Sequence, residues 1–447
     1  MQIKRYKKIT IWLFCLVLLL SCETSTPTVT TSSVAQLSAF YFAKNDSFPG
    51  LGNAVFTIEE RLDTGLVWNK DSMLFGTRLD TVIPKFAFAA TPSAAYLTMP
   101  DTTVVLTGYD TLDFSKTPIY LTIRSSDKTT TKVYEIQPRV HQVNPDLYTW
   151  QRLTAQIYPS DDSEQRVVLL GNKFVMLSSN GFALRAYSSQ DGASWTDLGA
   201  LTGLPSGTKV RQIISDGSTL YYGQGKAVYT STDAVSWTAN EVAYPVVTML
   251  MQWNDLVWAL TENDGYELAT FADGALTLSG LRPETEFPIS DFATVNFLSP
   301  SGRERTMIIG GFAENGKSLN VRWNIEYSSH PQPEGTYRME EFSIDRPQFT
   351  SLTGISVIWY NEQLQLFGGV DADMRYFGRD ILLSEDEGLT WTAADTANNQ
   401  LPEVYQARQK QNAIVRDNCI YLFGGQDQNK TYSDVYKGKL NSIDWED

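Results

Sequence analysis

Histidine and cysteine are almost absent from this 447-residue chain, which has two His and three Cys. With only His141 and His330 available, a His-rich zinc or copper centre and most Ser-His-Asp arrangements are excluded, and no metal or cofactor is expected. Cys15 falls in an N-terminal apolar run and Cys22 directly after it. Cys419 sits in the string Cys419-Ile420-Tyr421-Leu422-Phe423, where it reads as a small buried hydrophobe. Such a set supplies no disulfide framework, so a large core must hold the fold. Positive charge is also scarce: 36 Lys and Arg stand against 51 Asp and Glu, a formal net charge of −15. That surface repels nucleic acid, no basic cluster offsets it, and no nucleic-acid partner is expected. Long helical patterns are missing too. Apolar residues still make up 42% of the chain, with 11 Trp, 22 Tyr and 21 Phe, which predicts an all-β protein with one large core or two smaller ones.

Lys4, Arg5, Lys7 and Lys8 precede an apolar run from Ile9 to Leu20, the pattern of a secretory signal over residues 1–21. The run is too short to span a bilayer, which takes roughly 20 apolar residues. Leu19-Leu20-Ser21-Cys22 resembles the lipobox of bacterial lipoproteins. The resemblance implies lipidation of Cys22 and a cell-envelope address as an outer-membrane lipoprotein, with the periplasmic and surface faces both open. At about 0.8 kcal/mol per buried CH₂, several acyl chains hold a protein on a membrane almost permanently. Cleavage before Cys22 removes four positive charges and no negative ones, taking the formal charge from −15 to −19. Residues 22–33, rich in Ser, Thr and Pro, read as an extended tether.

From 34 to 143 strand-like segments alternate with turns, as in Val55-Phe56-Thr57-Ile58 and Ile119-Tyr120-Leu121-Thr122-Ile123. A length of about 110 residues and this spacing predict an immunoglobulin-like β-sandwich. Beyond Asn144-Pro145-Asp146 repeats begin. Ser189-Gln190-Asp191-Gly192-Ala193-Ser194-Trp195 is echoed by Ser231-Thr232-Asp233-Ala234-Val235-Ser236-Trp237. A fuller form is Ser384-Glu385-Asp386-Glu387-Gly388-Leu389-Thr390-Trp391. The last string resembles the Asp-box of sialidase-like propellers and the others are shortened variants. The resemblance implies structural roles for Asp191, Trp195, Asp233, Trp237, Asp386 and Trp391. Asp and Ser bond turn backbone, Gly takes the awkward dihedrals, and Trp packs between sheets.

A second repeat interleaves: Met307-Ile308-Ile309-Gly310-Gly311, Gln365-Leu366-Phe367-Gly368-Gly369 and Tyr421-Leu422-Phe423-Gly424-Gly425. These resemble kelch repeats, and their spacings of 58 and 56 residues suit one blade per copy. Weaker blades fill the gaps. A six-bladed β-propeller over 147–447 is predicted, with blades at 163–199, 207–240, 244–280, 288–345, 349–395 and 403–447, seven blades being the alternative. Residues 147–154 are expected to pin the ring closed, since an open propeller leaves an unpaired edge. At full length the chain resembles Bacteroides-type lipoproteins that join a β-sandwich to a kelch or galactose-oxidase-like propeller.

Sialidase chemistry is not expected, because the Arg-Ile-Pro string of that family is missing. A copper–radical site is not expected either: Cys419 lies in a strand, His141 in the inter-domain connection and His330 on a Pro-rich loop. Carboxylate pairs capable of glycoside hydrolysis stand at Asp161-Asp162, Asp371 with Asp373, and Glu385-Asp386-Glu387, all in polar loop contexts that read as solvated. Five Asp-Ser/Thr strings, four of them in the sandwich, resemble acceptors of Bacteroides-type O-glycosylation: Asp71-Ser72-Met73, Asp80-Thr81-Val82, Asp101-Thr102-Thr103, Asp110-Thr111-Leu112 and Asp395-Thr396-Ala397.

The loops after the second strand of each blade carry planar aromatics beside Asp, Asn, Gln and Arg, the chemistry of sugar recognition. Candidate ligand contacts are Asp371, Asp373, Arg375, Tyr376, Phe377 and Tyr432. The sequence thus predicts a lipid-anchored, non-catalytic envelope protein that binds a glycan or another envelope protein. A propeller glycosidase or lyase using loop carboxylates is the alternative. No feature specifies an oligomeric state. Cys22→Ser is expected to release the protein from the membrane fraction or leave its signal attached. An unlipidated mature N-terminus in wild-type mass spectra would refute the anchor.

Overall fold

The structure is a computed structural model that describes residues 31–48, 50–158, 164–299, 301–328, 336–343, 351–394 and 399–444. The Cys22 lipidation site, His330 and the Asp161-Asp162 pair lie outside the described residues. No α-helix occurs among the described residues, only three short 3-10 turns, two between strands and one after the last strand. The chain divides into two compact units between Asn144 and Pro145.

The first unit holds β1 (Leu37–Phe42), β2 (Phe56–Glu59), β3 (Thr64–Asn69), β4 (Pro84–Phe88), β5 (Ala94–Met99), β6 (Thr102–Val105), β7 (Tyr120–Arg124) and β8 (Thr131–Gln137). β1 and β4 form an antiparallel ribbon, and the other six strands form one sheet in the order β2-β3-β8-β7-β5-β6, with β3 and β8 parallel. Alternation along the strands turns one face inward. Phe40 and Phe42 of the ribbon share a core with Val67, Leu97, Leu121, Ile123, Tyr134 and Ile136 of the larger sheet. The strands divide unevenly, two and six, where the immunoglobulin-like arrangement divides about four and three.

The second unit begins with β9 (Tyr148–Thr154), followed by a four-stranded sheet of β10 (Glu164–Leu170), β11 (Lys173–Ser179), β12 (Leu184–Ser189) and β13 (Thr196–Ala200). A six-stranded sheet follows: β14 (Ile214–Ser215), β15 (Leu220–Ser231), β16 (Thr238–Trp253), β17 (Leu256–Glu262), β18 (Tyr266–Ala272) and β19 (Ala275–Leu278). The next sheet comprises β20 (Ala293–Leu298), β21 (Glu304–Ile309), β22 (Val321–Ser328) and β23 (Thr336–Ser343). After it come β24 (Ser356–Tyr360), β25 (Gln363–Phe367), β26 (Ile381–Ser384) and β27 (Thr392–Ala393). The last sheet joins β28 (Asn412–Arg416), β29 (Cys419–Gln426) and β30 (Thr431–Leu440) to β9, so both ends of the unit meet in one sheet. This is a β-propeller.

The six-stranded sheet arises because β16 runs 16 residues without a turn. Its start pairs with the end of β15, as in Thr238 opposite Thr230, and its later part pairs with β17, as in Gln252 opposite Val257. Register slips flank Pro245, which cannot donate to a ladder. One strand therefore serves two sets of neighbours.

Inner strands are buried on both faces: every residue of β11 except Lys173 and every residue of β29 except Gln426. Outer strands such as β13 and β27 are largely exposed. The reason is stacking. Six apolar cores each join neighbouring sheet segments, and one of them returns from Tyr421, Phe423 and Val435 of the last sheet to Val167, Phe174 and Met176 of the first.

The Gly pairs sit where this stacking is tightest. An added Cβ on Gly310 (φ +66°) would overlap the carbonyl oxygen of Leu352, and one on Gly424 (φ +53°) the side-chain amide of Gln165. Gly181 in contrast has φ +88° but open space around it. Gly310→Ala is expected to destabilise the propeller by at least about 2 kcal/mol, and Gly181→Ala by only about 1, the left-handed backbone penalty alone. Equal losses in denaturant melts would refute close packing at Gly310.

Candidate functional site

The three Ser-x-Asp strings fold into one kind of turn. Ser189 Oγ donates to Asp191 at 3.0 Å, Ser231 Oγ to Asp233 at 3.0 Å, and Ser384 Oγ to Asp386 at 2.8 Å. Each carboxylate then accepts backbone N–H groups further along: Ala193 and Ser194, Val235 and Ser236, or Thr390. The indole N–H of Trp195, Trp237 and Trp391 closes each turn on the carbonyl of Gly192, Ala234 or Gly388. Ala234 takes the left-handed backbone (φ +68°) that Gly192 and Gly388 adopt without a Cβ. None of these turn residues lines the cavity described below.

The second-strand loops are bonded mainly within themselves. Asp371 is buried; its carboxylate caps the N–H groups of Asp373 and Arg375 and pairs with the Arg375 guanidinium at 3.0 Å. Arg375 reaches Asp373 at 2.9 Å, so the three charges satisfy one another. This uses the oxygens a calcium ion would need, and no cluster of three metal-ligating side chains occurs among the described residues. Phe377 packs against the core of β20, β21, β24 and β25. Tyr432 lays its ring on the Arg408 guanidinium, 3.9 Å from centroid, and donates its hydroxyl to Asp427 at 2.6 Å. Burial and the Asp427 carboxylate push that phenol up to about 12. Arg408 is clasped on another side by Tyr405 at 4.2 Å and forms a buried pair with Asp434 at 2.6 Å. Tyr432 therefore props up a buried arginine, where the sequence suggested an open stacking face. Tyr376 lies beside Gln409 and Asp427, which brings it and Tyr432 to one place.

That place borders a cavity of about 790 Å³, walled by the first strands of successive sheet segments: β10, β14, β16, β20, β24 and β28. Gln426, where β29 ends, lines it, and its backbone pairs in both directions with that of Gln409. Glu164, Arg166, Lys209, Arg211, Asp291 and Lys410 supply the charged lining. Asp291 holds two cations, Arg211 at 2.9 Å and Lys410 at 3.1 Å. Burial raises its carboxyl, but Arg211 and Lys410 outweigh that and leave it below the usual carboxylate range. Arg211 also donates to the Lys410 carbonyl at 2.7 Å, tying three segments together. Sequence reasoning missed this group because the residues lie as far apart as 164 and 410, each near the start of a first strand, with no local motif.

Residues 144–447 match the DUF6242 beta propeller domain, and residues 25–137 match the N-terminal domain of the same family, described as a domain of unknown function. The chain belongs to the DUF6242 family. No curated protein matches it. Among solved structures, that of YjhT is 15% identical with a TM-score of 0.47, covering 63% of this chain and 95% of its own. The Penicillium chrysogenum alpha-L-arabinanase complexed with arabinobiose is 14% identical with a TM-score of 0.43, covering 64% and 98%.

In this DUF6242 propeller the turn carboxylates give a pH signature. Burial raises Asp233, yet the N–H groups of Ser236 and Val235 prevail and hold it at about 2; Asp191 and Asp386 are lowered by similar bonds. A carboxyl whose folded pKa is depressed stabilises fully above its unfolded value of about 3.9 and loses that contribution as pH falls through the folded value. Asp233→Asn is expected to lower stability near neutrality and to flatten the acid limb of stability between about pH 4 and pH 2. An unchanged acid limb in the variant's urea melts would refute the assignment.

Proposed function

We propose that this protein is a lipid-anchored, non-catalytic binding protein of the cell envelope, whose propeller takes a polar ligand, a glycan or a segment of an envelope protein, into its axial cavity. The observation that carries the reading is the cavity: about 790 Å³, walled by the first strands around the ring and lined by charged and amide side chains. The ring is read as six blades, a count supported by six apolar cores between successive sheet segments and by the double role of β16. On this reading the Ser-x-Asp turns are Asp-boxes and the Gly pairs belong to kelch-like repeats, both serving the scaffold. Tyr376 and Tyr432 act at the rim, shaping the entrance from behind, while Asp371, Asp373 and Arg375 stiffen the neighbouring loop.

Non-catalysis is supported by the state of the cavity carboxylates. Asp291 is held ionised by two cations, which suits a fixed charge and not a general acid. Glu164 Oε1 lies 3.4 Å from the backbone nitrogen of Arg211 and completes the same cluster.

Thr294 lines the cavity from β20, whose Ala293, Val295 and Phe297 also belong to an apolar core. In a glycan-array and envelope-extract screen of the full chain, Thr294→Trp is expected to abolish ligand capture with little change in melting temperature. Full capture by the plugged variant would move the ligand off the cavity. Mass spectrometry is expected to recover the captured ligand intact, and cleaved product would instead favour the glycosidase or lyase alternative.

A further inference from the structure

The cavity lining opposes the rest of the molecule in sign. It carries four basic side chains and two carboxylates, in a chain of net charge −15. Asp291 is already shared between Arg211 and Lys410. Glu164 sits against the Arg211 backbone. The Arg166 side chain is left with no ion pair or hydrogen bond among the described residues, and its Nε is buried. Burial and the nearby Arg211 charge depress the Arg166 guanidinium to about 10, so the site disfavours its own cation. A partly buried charge without a counter-charge is costly, and an arriving anion removes that cost. Amides line the same cavity: Gln212, Gln252, Asn296 and Gln411. Gln411 donates its Nε2 to the Phe367 carbonyl, while its Oε1 is buried without a partner.

We propose that the axial cavity binds an acidic saccharide, with the sugar carboxylate seated on Arg166 and its hydroxyls on amides of the same lining. This rests on the cavity being the ligand site. A planar guanidinium grips a carboxylate through two parallel bonds, which gives both orientation and charge recognition. Lys209, exposed near the cavity and without a salt bridge among the described residues, adds to the attraction at entry.

The test is calorimetry of the full chain in non-ionic detergent with D-glucuronate and D-glucose, which share a ring and differ in the carboxylate. Wild type is expected to prefer glucuronate by about tenfold or more. Arg166→Met should remove the preference, and Arg166→Lys should keep part of it. The ligand-free Arg166→Met variant should melt no lower than wild type, since it loses an uncompensated charge, whereas a structural arginine would lower the melting temperature on removal. Equal binding of both sugars by wild type, or a preference that survives Arg166→Met, would overturn the proposal. Sodium sulfate against sodium chloride at matched ionic strength separates the two premises. If neither sugar binds, but sulfate raises the melting temperature of wild type alone, the saccharide assignment of the cavity falls and Arg166 stands as an anion seat. If sulfate does nothing either, both fall.

Discussion

Each inner strand of the propeller needs apolar neighbours on both faces, and the last sheet finds one of its two only by meeting the first. Phe174 of β11 illustrates the dependence. Its ring lies 4.7 Å from Tyr421 and 5.0 Å from Phe423, residues nearly 250 positions later in the chain. The closure is held covalently by nothing; it is held by β9 pairing with β30, and by side chains that cross the seam. Gln165 donates to the carbonyls of Gly425 and Tyr432, Asn412 accepts from Val167, and Asn399 bonds both Asp146 and Tyr148. Each of these satisfies a polar group that stacking would otherwise strand away from water. A chain without disulfides in the described residues thus gets its staple from hydrogen bonds between its two ends.

Closing a ring of stacked sheets also dictates what lies at its centre. First strands splay from one axis, so their side chains cannot fill the middle, and polar groups collect where they remain in contact with solvent. The links between segments bring Arg211, Asp291 and Lys410 together, and their ion pairs tie neighbouring segments across the opening. The same constraint explains the glycine pairs. Gly310 and Gly424 lie at the ends of second strands, beside the chain entering the next segment, where a Cβ has no room. Cavity wall and crowded glycines are consequences of one geometry.

This geometry was unequally legible in the sequence. The turn strings ending at Trp195, Trp237 and Trp391 are contiguous, so their hydrogen bonds can be anticipated residue by residue. The glycine pairs are contiguous too. The break near Asn144 shows as a change from irregular strands to repeats, and the two matched family domains flank it. Apportioning strands to sheets is different, because β3 reaches β8 in parallel across some 70 residues and no local signal encodes that partner. The candidate loops meet a related difficulty. Asp371, Arg375 and Tyr432 have the composition of a sugar site, but composition does not tell whether a side chain's partners come from a ligand or from its own loop. In the structure Arg375 faces Asp371 and Asp373, and Tyr432 faces Arg408. Arg408 itself, 24 residues before Tyr432, carries no sequence mark of being buried.

What remains distinctive is the pairing of an acidic exterior with a basic axis. A surface of strong negative charge repels anions in general, so an anion that reaches Arg166 must be drawn by short-range contacts once inside, where salt screens less than at the surface. Such an arrangement favours selectivity over fast capture. Multiply charged polymers are held away by the exterior, while a ligand of single charge and many hydroxyls loses little on approach and gains the guanidinium and the amides on entry. The ionised Asp291 contributes to this balance as well. By engaging Arg211 and Lys410 it takes two of the four cations out of play. The cations left without a carboxylate partner among the described residues are Arg166 and the exposed Lys209, so a single charge is drawn past Lys209 toward Arg166.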